Sequence, residues 1–197
     1  MPKVSQQYRD DRRGQILQAA QRCFLRDGFH ATSMQDLFAE AGLSSGAVYR
    51  YFASKDEMIA AIAHDNMQEV MAMVRSVAAQ GPAASVGEVV AGVLELVAAK
   101  HSEDGLGGLA IQVWSEALRN PTLAAELDGL IRRTRADLAA VVRQAQASGS
   151  LPPDLPAEAV AATLFAILPG YILQLALLGR AGVRGVPGAV RGLWPPA

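Results

Sequence analysis

A chain of 197 residues, 51% hydrophobic and 19% charged, carries enough apolar material for a real core and is neither disordered nor of low complexity. Its single cysteine excludes a disulfide framework and a cysteine-based metal cluster. The net charge of −1 is unevenly spread, since residues 1–55 carry +3 and residues 56–197 carry −4, so only the first part is suited to phosphate.

The polar segment from Met1 to Tyr8 reads as an arm whose one cation is Lys3. No apolar stretch precedes Arg13, so no secretory leader is expected and the chain reads as cytoplasmic. From about Asp10 to Arg26 the pattern is helical, with Ile16, Ala20, Cys23 and Phe24 on one face. Cys23 reads there as a small buried hydrophobe. Asp27-Gly28 ends this helix, and His30 falls in a loop with no second metal ligand near it.

A second helix follows at once. Ser33 is its cap and Asp36 the partner of a capping box, while Met34, Leu37, Phe38 and Ala41 recur at helical spacing. Gly42 stands where a left-handed residue closes a helix. Ser44 then caps a third helix, from Ser45 to Tyr51 or Phe52, which Leu43 and Val48 lock against the second. Two short helices joined by a tight turn are a helix-turn-helix, and Ser45, Gly46, Ala47, Tyr49, Arg50 and Tyr51 are left to face the major groove of DNA. Gly42 to Gly46 also spells G-x-S-x-G, the nucleophile elbow of hydrolases. That motif requires a preceding strand, and here a helical pattern precedes it.

Ser54 and Glu57 cap a fourth helix from Lys55 to about Ala79. Its apolar positions are Ile59, Ile62, Ala63, Val70, Met73, Val74 and Val77, Asn66 interrupts their stripe, and Gly81-Pro82 stops it. Further helices are expected over Ser85–Lys100, Leu109–Arg119 and Pro121–Ala147, with loops over His101–Gly108 and Ser148–Pro156. Ala159–Gly179 carries no charge, and its apolar side chains point all round, so it must be buried on every side. Pro169-Gly170, Thr163 and Gln174 argue against a membrane span. A last short helix is expected near Val186 to Leu193.

The first third resembles the TetR family of transcriptional regulators. The residues that carry the resemblance are Ala20 and Phe24, Gly28-Phe29, Thr32-Ser33, and the run from Ala41 to Phe52 with Lys55 after it, covering roughly residues 12–62. The resemblance implies an all-α homodimer. Residues 1–54 would be a three-helix DNA-binding head, and residues 55–197 a helical bundle for ligand binding and dimerisation. It also implies phosphate contacts from Thr32, Ser33, Ser44, Tyr51 and Lys55. Ser45, Gly46, Ala47, Tyr49 and Arg50 would lie against the bases, with Arg50 the best reader of guanine because its fork matches O6 and N7.

The same resemblance implies a small-molecule pocket among the later helices, for which Asn66, Met67, Met71, Gln112, Trp114, Tyr171 and Gln174 are the expected lining. Asn66 stands out, because a buried amide needs partners. The effector would be hydrophobic or amphipathic. Leu164, Leu168, Tyr171, Leu175 and Leu178 are the expected dimer face. The expected function is repression from a palindromic operator on double-stranded DNA, released by the effector, with no catalysis, cofactor, metal or membrane involved. The alternative is a ligand-independent activator or nucleoid-associated DNA-binding protein of the same build.

Overall fold

The computed structural model describes residues 5–78 and 85–194, which form nine α-helices and, among the described residues, no strand. They are α1 (Gln6–Asp27), α2 (Met34–Ala41), α3 (Ser45–Tyr49), α4 (Lys55–Ala78), α5 (Val86–Asp104), α6 (Leu106–Ala117), α7 (Pro121–Ala147), α8 (Ala157–Val183) and α9 (Val186–Leu193). Lys3, the Gly81-Pro82 stop and the side chains of Met73 and Val77 lie outside the described residues.

The caps fix most boundaries. Ser5 accepts a bond from the Tyr8 backbone N–H, so α1 begins at Gln6, four residues before the expected Asp10, and Gln6 to Tyr8 are helix rather than arm. Ser33 and Asp36 form the full reciprocal capping box of α2. Ser54 accepts from the Glu57 N–H, while the Glu57 carboxylate reaches back to the N–H of Ala53. Asn120 caps α7 through the N–H groups of Thr122 and Leu123, with Pro121 in the first turn, where its missing N–H costs nothing. The expected loop over His101–Gly108 shrinks to one residue. Gly105 alone turns left-handed (φ 66°), so α5 runs on to Asp104 and α6 starts at Leu106.

The helices enclose two cores. One gathers Ile16 and Phe24 of α1, Leu37 of α2, Val48 of α3 and Ile59 and Ile62 of α4, joined by Leu109 and Val113 of α6 and Leu123 of α7. Ile16, Phe24, Leu37 and Val48 are all 1% exposed or less, each burial contributing about 1.5–3 kcal/mol of transfer free energy. The other core joins the far half of α4 to α5, α7, α8 and α9 through Val74, Val89, Leu94, Val142, Leu164 and Leu175. Cys23 is fully buried in the first core, and burial pushes its thiol pKa up.

α8 departs from expectation in two ways. It extends to Val183, but Gly179 (φ 67°, ψ −179°) breaks its regular course, so the residues after Gly179 form a separate final turn. It is also not buried on every side. Leu164, Leu168, Tyr171 and Leu175 face the protomer's own core, whereas Leu173, Leu177 and Leu178 are exposed. The expected dimer face is corrected accordingly. Leu164, Leu168, Tyr171 and Leu175 are covered within one chain, and of the expected set only Leu178 is free. By length and composition α8 could cross a bilayer, yet it packs along α7, α5 and α6 as a core helix of the body.

The turn between α2 and α3 rests on Gly42, whose φ of 65° brings the Leu43 N–H back to the Phe38 carbonyl at 3.1 Å, while the Gly42 N–H meets the Ala39 carbonyl. A Cβ at Gly42 would meet no atom within 4 Å, so the cost of Gly42→Ala is conformational strain alone. The substitution should destabilise the protein by about 1 kcal/mol in urea unfolding, and an unchanged midpoint would show that the turn relaxes freely.

Candidate nucleic-acid interface and effector pocket

α3 is held from beneath and left bare on top. Val48 is fully buried and Phe52 nearly so, with the Arg13 guanidinium 5.8 Å from the Phe52 ring centroid. Ser44 accepts from the Ala47 N–H at 3.3 Å, which makes Ser44 a helix cap with its own hydroxyl proton still free. The helix ends sooner than its sequence suggests, at Tyr49, and Arg50 and Tyr51 form a closing turn whose Tyr51 N–H meets the Val48 carbonyl. Ser44, Ser45, Gly46, Tyr49 and Arg50 are exposed together, with Ala47 and Tyr51 half-buried at the edges. Tyr49 stands edge-on to Phe38 at 5.3 Å, so one side of its ring is structural and the other open. A Cβ at Gly46 would meet nothing within 4 Å, so no contact within the protein requires a glycine there.

The other expected contacts are committed elsewhere. Thr32 is 1% exposed and its hydroxyl donates to the Gly28 carbonyl at 2.8 Å. The Ser33 hydroxyl donates to the Asp36 carboxylate at 2.7 Å, and these bonds hold the Asp36 carboxyl below its usual range. Lys55 is the sharpest correction. Its ammonium donates to the carbonyls of Phe29 (2.8 Å), His30 (3.3 Å) and Thr32 (3.1 Å) and sits 4.6 Å from the Phe29 ring centroid. With three donors and three carbonyls, it closes the loop between α1 and α2 and has nothing left for phosphate.

Charge in the head is similarly spent. Arg13 pairs with Asp65, and Arg22 and Arg26 share Glu40, whose carboxyl they hold below the ordinary glutamate range. Arg9 and Arg12 bond only neutral groups. Arg50 has no carboxylate or hydrogen-bond partner among the described residues, so its fork is free at the exposed end of α3.

The head is tied to the body by a contact with little signal in the sequence. Gln112 on α6 donates to the Phe24 carbonyl at 2.8 Å and accepts the Phe29 N–H at 3.0 Å, gripping the end of α1 and the loop beyond it. His30 Nε2 lies 3.2 Å from a Glu116 carboxylate oxygen one turn further along α6. Gln112 therefore leaves the expected pocket lining and becomes a clamp.

Between α4, α5, α6, α7 and α8 lies an apolar cavity of about 120 Å³. Asn66, Met67 and Trp114 line it as expected, beside Leu109, Val113 and Phe165. The Asn66 amide has no partner among the described residues. Met71 is buried beside the cavity without lining it, Tyr171 opens onto a different cleft, and Gln174 is exposed, its amide returning to the Gly170 carbonyl. Leu109 and Val113 line this cavity and also belong to the core of the head.

A capped, bare-topped α3 on a compact three-helix head, joined to a helical body with its own cavity, defines a helix-turn-helix regulator. Comparison with known proteins agrees. Residues 16–62 match the model of the bacterial regulatory proteins, tetR family, and residues 86–186 match that of the BetI-type transcriptional repressor, C-terminal. The transcriptional regulator UidR of Escherichia coli (strain K12) is 30% identical over 143 residues, 73% of this chain and 70% of UidR. The transcriptional repressor AcnR of Corynebacterium jeikeium is 26% identical over 192 residues, 96% of this chain and 94% of AcnR. The solved structure of Salmonella enterica GusR superposes with a TM-score of 0.75 at 28% identity and covers 98% of each chain. The chain belongs to the TetR family of transcriptional regulators.

Arg50 and Lys55 should separate cleanly. Arg50→Ala should weaken binding to a selected operator by about 1–3 kcal/mol in fluorescence anisotropy and leave the melting temperature alone. Lys55→Met should do the reverse, lowering stability by about 1–3 kcal/mol because carbonyls lose their donor. A Lys55→Met protein of full stability and reduced salt dependence of binding would return Lys55 to the phosphates.

Proposed function

We propose that this protein represses transcription as a homodimer seated on a palindromic double-stranded DNA operator, and that a small hydrophobic or amphipathic effector releases it. In this reading residues 1–54 contact DNA, residues 55–197 bind the effector and the partner subunit, and the protein works in the cytoplasm without catalysing a reaction. The observation that carries it is the double membership of Leu109 and Val113 in the head's core and the pocket wall. Ala63 and Leu127 repeat the pattern, lining the cavity while packing against the head's core.

The coupling follows from volume. A cavity of about 120 Å³ lined by apolar side chains takes a group about the size of benzene without rearrangement. A larger effector must push its walls apart, and two of those walls, α4 and α6, support the head. Two heads on one duplex need a fixed separation, so an effector that prefers the displaced arrangement lowers operator affinity by its difference in affinity for the two states. Asn66, the unpaired amide of the lining, supplies the polar group that would orient an amphipathic effector.

The dimer has a matching surface. On α8, Thr163, Ala166, Gly170, Leu173 and Leu177 recur at three- and four-residue steps along an exposed face without charge, with Leu178 beside it. Small residues at one end and leucines at the other suit the close approach of a second α8. Leu177→Arg should yield a monomer in analytical ultracentrifugation with an unchanged helical content, and a persisting dimer would move the interface elsewhere.

Gln112 tests the link between body and head. Gln112→Leu leaves the Phe29 N–H without its acceptor and should cost about 1–3 kcal/mol. The head should then melt ahead of the body in calorimetry. One sharp transition at the wild-type temperature would show that α6 does not couple them.

A further inference from the structure

A second recess, of about 470 Å³, opens where α5, the final turn of α8 and α9 meet. It shares no lining residue with the apolar cavity and differs from it in chemistry, for Glu95, Tyr171, Arg180, Arg184 and Gly188 all line it. The break at Gly179 creates this wall, since the turn beyond it carries Arg180 and leads directly to Arg184.

Four groups here lack what they ordinarily have. The ring of Tyr171 is buried, the residue being 3% exposed, while its hydroxyl opens to the cleft and has no protein hydrogen-bond partner among the described residues. Arg180 has a single long bond, 3.4 Å to the Ser102 hydroxyl. Arg184 has no carboxylate partner among the described residues. α9 has no side-chain cap, and the N–H of Gly188, in its first turn, has no acceptor within the helix.

The one carboxylate on the wall does not offset them. Glu95 is held by Arg191 through two bonds, at 2.7 and 2.9 Å, and Arg191 also pairs with Glu88. The cleft is left with two guanidiniums, an uncapped helix start and a donor hydroxyl, all facing one space. Burial raises the Tyr171 pKa above that of an ordinary phenol, so the hydroxyl keeps its proton and can donate it. Ala98, Val183 and Pro187 supply an apolar flank beside these donors.

We propose that this cleft is a binding site for a small organic carboxylate, separate from the effector cavity. The carboxylate lies between Arg180 and Arg184, accepts the Gly188 N–H and the Tyr171 hydroxyl, and rests its carbon body on Val183 and Pro187. Guanidinium forks, a helix start and a hydroxyl donor are the combination that recognises a planar oxyanion.

The test is calorimetric titration of the full-length protein with benzoate, and in parallel with inorganic phosphate, in low-chloride buffer. Saturable benzoate binding at one site per chain is expected. Arg184→Gln should weaken it about tenfold and Tyr171→Phe several-fold, as the loss of charge-assisted hydrogen bonds predicts. Both variants should keep the wild-type melting temperature, since Arg184 is exposed and phenylalanine retains the ring. Phosphate that competes with benzoate and depends equally on Arg184 would support the site as one for oxyanions. No saturable binding, or binding indifferent to both substitutions, would overturn the proposal. So would loss of benzoate binding in Asn66→Leu, because the anion would then occupy the apolar cavity.

Discussion

The position of α6 governs everything else in this molecule. It is one helix with two obligations. Leu109 and Val113 belong to the head's core and line the apolar cavity, and Gln112 between them bonds both the last turn of α1 and the loop that follows it. A body joined to its head only through α4 would let the head swing about one axis. The second attachment restrains that swing, and in the proposed mechanism it would carry a displacement of the cavity wall to the head. Loop geometry reinforces this, because Lys55 holds the same loop from the other side through three carbonyls.

The electrostatics of the head follow from the same economy. Its arginines do not form one basic patch, since α1 uses three of them to hold α2 and α4 through Glu40 and Asp65. Such exposed pairs contribute little to stability individually, but they cancel charge where DNA would otherwise be attracted without regard to sequence. Among the described residues of the head, Arg9 and Arg12 near the start of α1 and Arg50 at the end of α3 are the arginines without a carboxylate partner. If α3 docks the duplex as proposed, affinity for a particular sequence would depend on its accurate seating, and a small tilt of the head would weaken binding.

Much of the head could be read from sequence because its signals are local. The box at Ser33 and Asp36, Gly42 at the left-handed turn and Ser44 before α3 each act within four residues, and in the body Asn120-Pro121 marks the start of α7 just as directly. What could not be read depends on side chains meeting across the fold. Lys55 looks like a phosphate ligand until the loop carbonyls of Phe29, His30 and Thr32 curl around it. Gln112 looks like pocket lining until α6 is placed against α1. α8 is harder for a different reason. A helix apolar all round has no phase, so nothing in the pattern separates Leu175, which is fully buried, from Leu177, which is exposed.

Loss of phase is also what such a helix requires when it serves two cores at once. One side of α8 packs against α5, α6 and α7 of its own chain, and in the proposed dimer the other would meet an equally apolar surface and take the exposed Leu173, Leu177 and Leu178 out of water. The break at Gly179 ends that apolar stretch abruptly. Before it the helix carries no charge back to Ala159, and after it come Arg180 and Arg184, turned toward α5 and α9. A single residue with positive φ thus separates an exposed apolar surface from a cleft lined by two guanidiniums, on the helix that the proposed dimer would pair with its twin.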